Sequence, residues 1–121
     1  MLSASHRLST AAEFRQAVRR GRRAGGPLVV VHLASGNVDK STSAPGGTSP
    51  ARVGFVVSRA VGSAVIRNRV KRRLRHLVRE RVGRLDDGAL LVVRAQPAAA
   101  QASYRDLEAE LDRCLDRVVG S

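Results

Sequence analysis

The longest amphipathic segment of the chain runs from residue 61 to residue 82. Its apolar residues recur every three or four positions, which places them on one stripe of a helix; they are Ile66, Val70, Leu74, Leu77 and Val78. From Arg67 onward most of the other positions are cationic, with one flank formed by Arg67, Lys71 and Arg75 and the other by Arg69, Arg72, Arg73 and His76. The pattern predicts a helix that buries one side and is basic elsewhere.

Two other segments have helical patterns. Thr10-Ala11-Ala12-Glu13 has the capping-box spacing, which predicts a helix from Thr10 to about Arg20 that ends at Gly21. A last helix is expected to be capped at or near Ser103, with an inward stripe of Leu107, Leu111, Cys114, Leu115 and Val118. Most acids of this helix would then point outward, and we interpret them as ordinary solvated surface.

Three short segments rich in β-branched residues predict strands at residues 28–33, 52–58 and 89–94, the last of them central because it is apolar throughout. The second strand is expected antiparallel to the first, across a mobile polar loop at 36–50. The element order α-β-β-α-β-α predicts an α+β fold with helices on a small mixed sheet. At 121 residues, the chain is expected to form a single RNA-binding domain over residues 1–121.

The amount and distribution of charge indicate a function for this predicted fold. The formal net charge is +12, and 20 of the 22 cations are Arg, which suits bidentate phosphate contacts. Residues 51–84 alone hold eleven cations and one acid. A solvated basic face is the simpler reading, but like charges three or four residues apart cost a helix roughly 0.2–0.5 kcal/mol per pair. Such repulsion indicates a polyanionic partner, and nucleic acid is the best candidate.

Several protein classes are disfavoured. The single cysteine, Cys114, allows no internal disulfide and lies on an apolar stripe, so we expect a buried thiol. No apolar run approaches the length of a membrane span, and no hydrophobic signal core precedes the domain, which together predict a cytoplasmic protein. A basic helix lying on an anionic membrane would need more large apolar residues than this plain aliphatic stripe offers.

A nuclease active site within the protein has little support from the sequence. Metal-dependent cleavage of a phosphodiester needs clustered carboxylates to hold Mg²⁺, and the basic region contains only Glu80. Asp86-Asp87 precedes Gly88 and is more typical of a turn. His32 and His76 could act as an acid/base pair, although no feature of the sequence brings them together.

The basic segment resembles the signature of the bacterial ribonuclease P protein family, through Val61-x-x-Ala64-x-x-Arg67-Asn68-Arg69-Val70-Lys71-Arg72-x-Leu74-Arg75. Phe55-Val56-Val57-Ser58-Arg59, the leading Arg7-Leu8, and Phe14, Val18 and Gly21 also fit that family. The resemblance implies a fold like domain 2 of ribosomal protein S5, with a left-handed βαβ crossover against the usual rule. It further implies a ribonucleoprotein in which a large catalytic RNA, with Mg²⁺, cleaves precursor tRNA to give the mature 5′ end. The protein would assist and would not cleave alone.

The resemblance also implies two RNA surfaces. The one for the catalytic RNA falls on Arg67, Asn68, Arg69, Lys71, Arg72 and Arg75. The one for the single-stranded 5′ leader falls on Phe14, Val18, His32, Ser58 and Arg59. Many relatives have aromatic residues where this chain has Val18 and His32, so Arg contacts are expected to take a larger share here. The Mg²⁺ would be held mainly by the RNA, with no metal site, no obligate protein partner and no membrane.

Two alternatives fit the same charge layout. A ribosomal protein would stay with ribosomal subunits after a high-salt wash, whereas a ribonuclease P subunit would copurify with a different, substoichiometric RNA. A protein-only nuclease would cleave precursor tRNA without any RNA partner.

Overall fold

The structure is a computed structural model that describes residues 21–34, 51–85 and 88–119. The helix predicted at 10–20, the loop predicted at 36–50 and the Asp86-Asp87 pair lie outside these ranges.

Four strands form one mixed sheet: β1 (Arg22–Gly25), β2 (Val29–Ala34), β3 (Arg52–Val56) and β4 (Leu90–Ala95), in the order β1-β2-β4-β3. The central position predicted for the last strand is confirmed, because β4 pairs antiparallel with β2 and parallel with β3. β3 does run antiparallel to β2 in direction, but it does not pair with it, since β4 lies between them.

The edge strand β1 was not predicted. It pairs antiparallel with β2, with Ala24 opposite Val31, and the Gly25-Gly26-Pro27 segment turns between them. The turn is closed by a hydrogen bond from the Gly26 N–H to the Val29 carbonyl, 3.0 Å long. A four-residue strand that carries two exposed arginines has too little apolar content to be recognised from its pattern.

The described residues also form two α-helices, α1 (Ala64–Arg79) and α2 (Tyr104–Val119). A short 3₁₀ turn, Arg59–Val61, leads from β3 into α1. Gly62 follows it with φ 154°, a conformation that favours glycine, and a Cβ there would also approach Ile66 at 3.1 Å. The Ser63 hydroxyl caps α1 by accepting the Ile66 N–H, and the Ser103 hydroxyl caps α2 by accepting the Asp106 N–H. The β3-α1-β4 segment is therefore the predicted crossover; its left-handedness stays a prediction.

Both helices pack on the same face of the sheet. The predicted stripe of α1 is confirmed, with Ile66 partly buried and Val70, Leu74, Leu77 and Val78 fully buried. The predicted stripe of α2 is confirmed in full and includes Cys114, whose thiol has a raised pKa because it is buried. The opposite face of the sheet has its own small apolar cluster of Ala34, Leu90 and Val92, which Val56 joins.

The prediction that most acids of α2 point outward as solvated surface does not hold for Glu110. Glu110 is buried, and one of its carboxylate oxygens accepts the backbone N–H groups of Leu28 and Val29, each at 2.6 Å. The turn before β2 approaches so closely that a Cβ on Gly26 would come within 2.7 Å of this carboxyl group. Glu110 therefore ties α2 to the sheet, because its carboxylate satisfies two adjacent backbone donors, one buried and one partly buried.

Candidate nucleic-acid interface

All six residues predicted to contact the catalytic RNA lie on α1, and we call them the basic face: Arg67, Asn68, Arg69, Lys71, Arg72 and Arg75. Asn68, Arg69 and Arg72 are exposed, while the others are half-buried along the edge of the apolar stripe. Within the part of the chain that the structure describes, no acid forms an ion pair with any of them. The positive charge of the basic face is thus uncompensated by described residues.

One flank of α1 is fixed against the segment that leads into α2. The guanidinium groups of Arg69 and Arg73 donate hydrogen bonds to the carbonyl oxygens of Ala100 and Ala102, each 3.1 Å long. A guanidinium group has five N–H donors, so each side chain keeps donors for another acceptor. These bonds hold two arginines in place before any ligand arrives.

The other flank, with Arg67, Lys71 and Arg75, has a different character. The Nε of Arg67 is buried and has no hydrogen-bond partner within the described ranges. A buried donor without a partner costs free energy comparable to a lost hydrogen bond. A phosphate oxygen is the kind of acceptor that would satisfy a guanidinium group.

The cations that follow α1 have acidic partners, which the sequence did not indicate. Arg81 forms hydrogen bonds with the carboxylates of Asp112 and Glu108 on α2 and with the Leu77 carbonyl. Its hydrogen bond to Asp112, with a smaller contribution from Glu108, raises the pKa of Arg81 above its usual value despite partial burial. Arg84 pairs with Asp116 at 2.7 Å. The basic surface therefore ends near the C-terminus of α1.

His32, which is predicted to contact the leader, lies on β2 and is 7% exposed. Its cross-strand partners are Arg23 on β1 and Val92 on β4, so it belongs to the sheet face that points away from α1. Burial lowers the pKa of His32, and the positive charges of Arg23 and Arg94 lower it further. Its Nδ1 is buried without a hydrogen-bond partner in the described chain. The imidazole is therefore neutral near pH 7.

The remaining leader residues are only partly located. Ser58 and Arg59 are exposed at the end of β3, where the chain turns toward α1. Phe14 and Val18 lie outside the described residues. No described contact joins His32 to Ser58 or Arg59, and the arginines near His32, Arg23 and Arg94, were missed by sequence reasoning because only the strand register brings them together.

The two histidines considered as an acid/base pair are on opposite sides of the sheet. His32 is on the face away from the helices, and His76 is exposed on α1. Among residues 21–34, 51–85 and 88–119, no three His, Cys, Asp or Glu side chains come together in a way that could hold a metal ion. None of the helices in these ranges combines the length and apolar character needed to cross a bilayer.

Comparisons with known proteins agree over nearly the whole chain. The family model described as Ribonuclease P matches residues 2–119. A "Ribonuclease P protein component" from a Nocardioides species is 61% identical over 118 residues, with 98% of this chain and 95% of the relative covered. A protein of the same name from Streptomyces avermitilis is 55% identical over 121 residues, with 99% and 97% covered.

Solved structures show the same fold at low sequence identity. The RNase P protein of Staphylococcus aureus superposes with a TM-score of 0.75 at 22% identity, with 94% of this chain and 97% of that chain covered. The RNase P protein of Thermotoga maritima gives a TM-score of 0.72 at 23% identity, with 93% and 96% covered.

Proposed function

Because the chain belongs to the ribonuclease P protein family, we propose that its basic face binds the catalytic RNA of that enzyme. Family membership makes the protein a component of ribonuclease P, with the ribonuclease P RNA as partner and the maturation of tRNA 5′ ends as the function. The proposal adds which surface of the protein binds which RNA and what the protein contributes to cleavage.

The observation that carries the proposal is the uncompensated charge of α1. The cations after this helix are neutralised by α2, whereas those of the basic face have no acidic partner in the described chain. Arg69 is held in place by a backbone carbonyl, and the buried Nε of Arg67 has no acceptor in residues 21–34, 51–85 and 88–119. Positioned, unpaired guanidinium groups suit the closely spaced phosphates of a folded RNA.

We propose that the opposite face of the sheet, around His32, takes the 5′ leader of precursor tRNA. Arg23 and Arg94 flank His32 and supply positive charge for a single strand, and the imidazole offers Nδ1, which has no hydrogen-bond partner among the described residues, as a donor or an acceptor. Ser58 and Arg59 are exposed after the end of β3, which β4 separates from the strand of His32, and Phe14 and Val18 complete the proposed set. Arginine contacts then take the place of some of the base stacking.

We further propose that the chemistry belongs to the RNA and that the protein alone does not cleave. The Mg²⁺ that activates water and stabilises charge on phosphate would be held mainly by the RNA, since the described residues offer no cluster of donors for it. The protein would supply cations that lower the repulsion between the catalytic RNA and its substrate, and the assembly would work in the cytoplasm.

Reconstitution with the catalytic RNA of the same genome tests the proposal. Arg69→Ala should lower cleavage of precursor tRNA at physiological Mg²⁺ by roughly tenfold, the effect of losing about 1.4 kcal/mol of binding, and higher Mg²⁺ should partly restore it. Arg84→Ala is the matched control, because Arg84 is paired with Asp116. Cleavage at low Mg²⁺ that does not depend on the protein would refute the proposal.

A parallel assay tests whether the RNA or the protein performs the cleavage. Protein freed of RNA is incubated with precursor tRNA and Mg²⁺, and no cleavage is expected. Cleavage that persists after RNase treatment and repurification would assign the chemistry to the protein itself.

A further inference from the structure

One flank of α1 ends at a pair of aromatic rings that the proposed RNA contacts do not use. The rings of His76 and Tyr104 have their centroids 6.0 Å apart and are tilted by 55°. His76 is exposed on α1, and Tyr104 is half-buried in the first turn of α2. We call these two residues the aromatic pair.

The aromatic pair lies in line with the fixed arginines of the same flank. Arg69, Arg73 and His76 succeed one another along α1, and all three contact the segment from residue 100 to residue 104. An RNA strand whose phosphates bind these arginines would therefore bring its next nucleotide to the two rings. Proteins that bind unpaired nucleotides usually contact the phosphates with cationic side chains and stack the bases on aromatic rings.

Charge around the aromatic pair favours a neutral ligand over a phosphate. Burial raises the pKa of Tyr104, and the nearby carboxylates of Glu80 and Glu108 raise it further, with partial compensation by Arg81. The rings thus lie at a boundary, with the cations of α1 on one side and acids on the other. A nucleobase is flat and uncharged, so it can occupy this boundary while its phosphate stays among the arginines.

We propose that His76 and Tyr104 form a stacking platform for an unpaired base of the catalytic RNA. The inference rests on the proposed function of the basic face and deepens it by adding a contact that depends on ring shape. It also gives the C-terminal helix, through its first residue, a part in binding RNA.

Affinity and salt dependence of the full chain for the catalytic RNA test the platform. Tyr104→Leu keeps an apolar side chain against the core but removes the ring, and it should weaken binding roughly tenfold, within the range expected for one stacked base. The slope of log K against log salt should not change, because no phosphate contact is lost. Tyr104→Phe should bind within about twofold of the wild type. Arg69→Gln should weaken binding and also lower the slope.

Tyrosine emission gives a direct readout, because the chain has one Tyr and no Trp. Emission from Tyr104 should fall when the catalytic RNA is added, beyond the loss measured for free N-acetyltyrosinamide at the same RNA absorbance. His76→Ala, at an exposed position, provides a second variant if Tyr104→Leu proves unstable in thermal denaturation.

The outcomes separate the platform from the basic face. If neither Tyr104→Leu nor His76→Ala weakens binding while Arg69→Gln does, the platform is wrong and the basic face stands. If Arg69→Gln also binds normally, the proposed function of α1 fails as well. A lowered salt slope for Tyr104→Leu would instead mean that the ring only positions the arginines, and this too would overturn the platform.

Discussion

The arginines on α1 and those just after it belong to one basic segment, but they have different surroundings. Arg72 is exposed and has no acidic partner among the described residues, whereas Arg81 is held by Asp112 and Glu108 and is 14% exposed. The same residue type thus provides an unpaired charge in one place and a link between two helices in the other. The number of cations in a basic segment therefore overestimates the surface available to RNA.

Exchanging Arg81 for Met should have the largest effect on stability. Met preserves the stem of the side chain but leaves Asp112 and Glu108 unpaired, which should lower the free energy of unfolding by about 2 kcal/mol, because these carboxylates keep partial access to water. Urea denaturation measures this value. The affinity of the folded protein for the catalytic RNA should stay within about twofold, since Arg81 is outside the basic face.

Arg72→Met is the matched control and should give the reverse result. Its affinity for the RNA should fall, and its stability should be unchanged or slightly higher, because one source of repulsion on α1 is removed. Equal losses of RNA affinity in the two variants would contradict the division of the segment into a binding part and a structural part.

Removing the acidic partner of Arg84 should raise RNA affinity, and this change should be smaller than the loss expected for Arg72→Met. Asp116→Asn removes the partner of Arg84 and should raise RNA affinity by about twofold to threefold at low salt, with a steeper salt dependence, because one more cation can meet phosphate. Asp106→Asn makes the same change in net charge on the same helix, but no described cation pairs with Asp106. An equal gain from both variants would show that overall charge, and not the freed arginine, is responsible.

The last prediction concerns His32, whose neighbouring arginines extend the comparison to the other sheet face. The pKa of His32 is lowered in the folded state, so at acidic pH the unfolded chain takes up a proton that the folded protein resists. Stability should be independent of this group above about pH 6.5 and should decline below it, by at most about 1.4 kcal/mol per pH unit.

Denaturation curves recorded from about pH 7.5 to about pH 5.5, a range that spans the ordinary histidine pKa, measure this decline. His32→Gln should remove it. A decline of the same size in the His32 variant would mean that another group causes it.

Periodicity was sufficient for the elements that carry strong apolar patterns. The stripes of α1 and α2 and the central strand β4 were predicted closely. Burial of one side of a helix, or of a whole strand, requires apolar residues at regular positions, and this pattern is visible in the sequence. The strand β1 was missed because three of its four residues are exposed and it has no apolar pattern, although Gly25-Gly26-Pro27 is a strong turn signal. Glu110 could have been noticed as an acid within the inward stripe of the last helix.

The sequence by itself determined that a helix would bury one side and expose many arginines, because side-chain polarity and helical spacing are local properties. It also carried the motif that identified the family. Only the tertiary structure decided which cations remain unpaired, since the acids that neutralise Arg81 and Arg84 come from a helix far along the chain. The same holds for the meeting of His76 with Tyr104 and for the arginines beside His32: these distances depend on how α2 and the strands pack, and no local pattern encodes them.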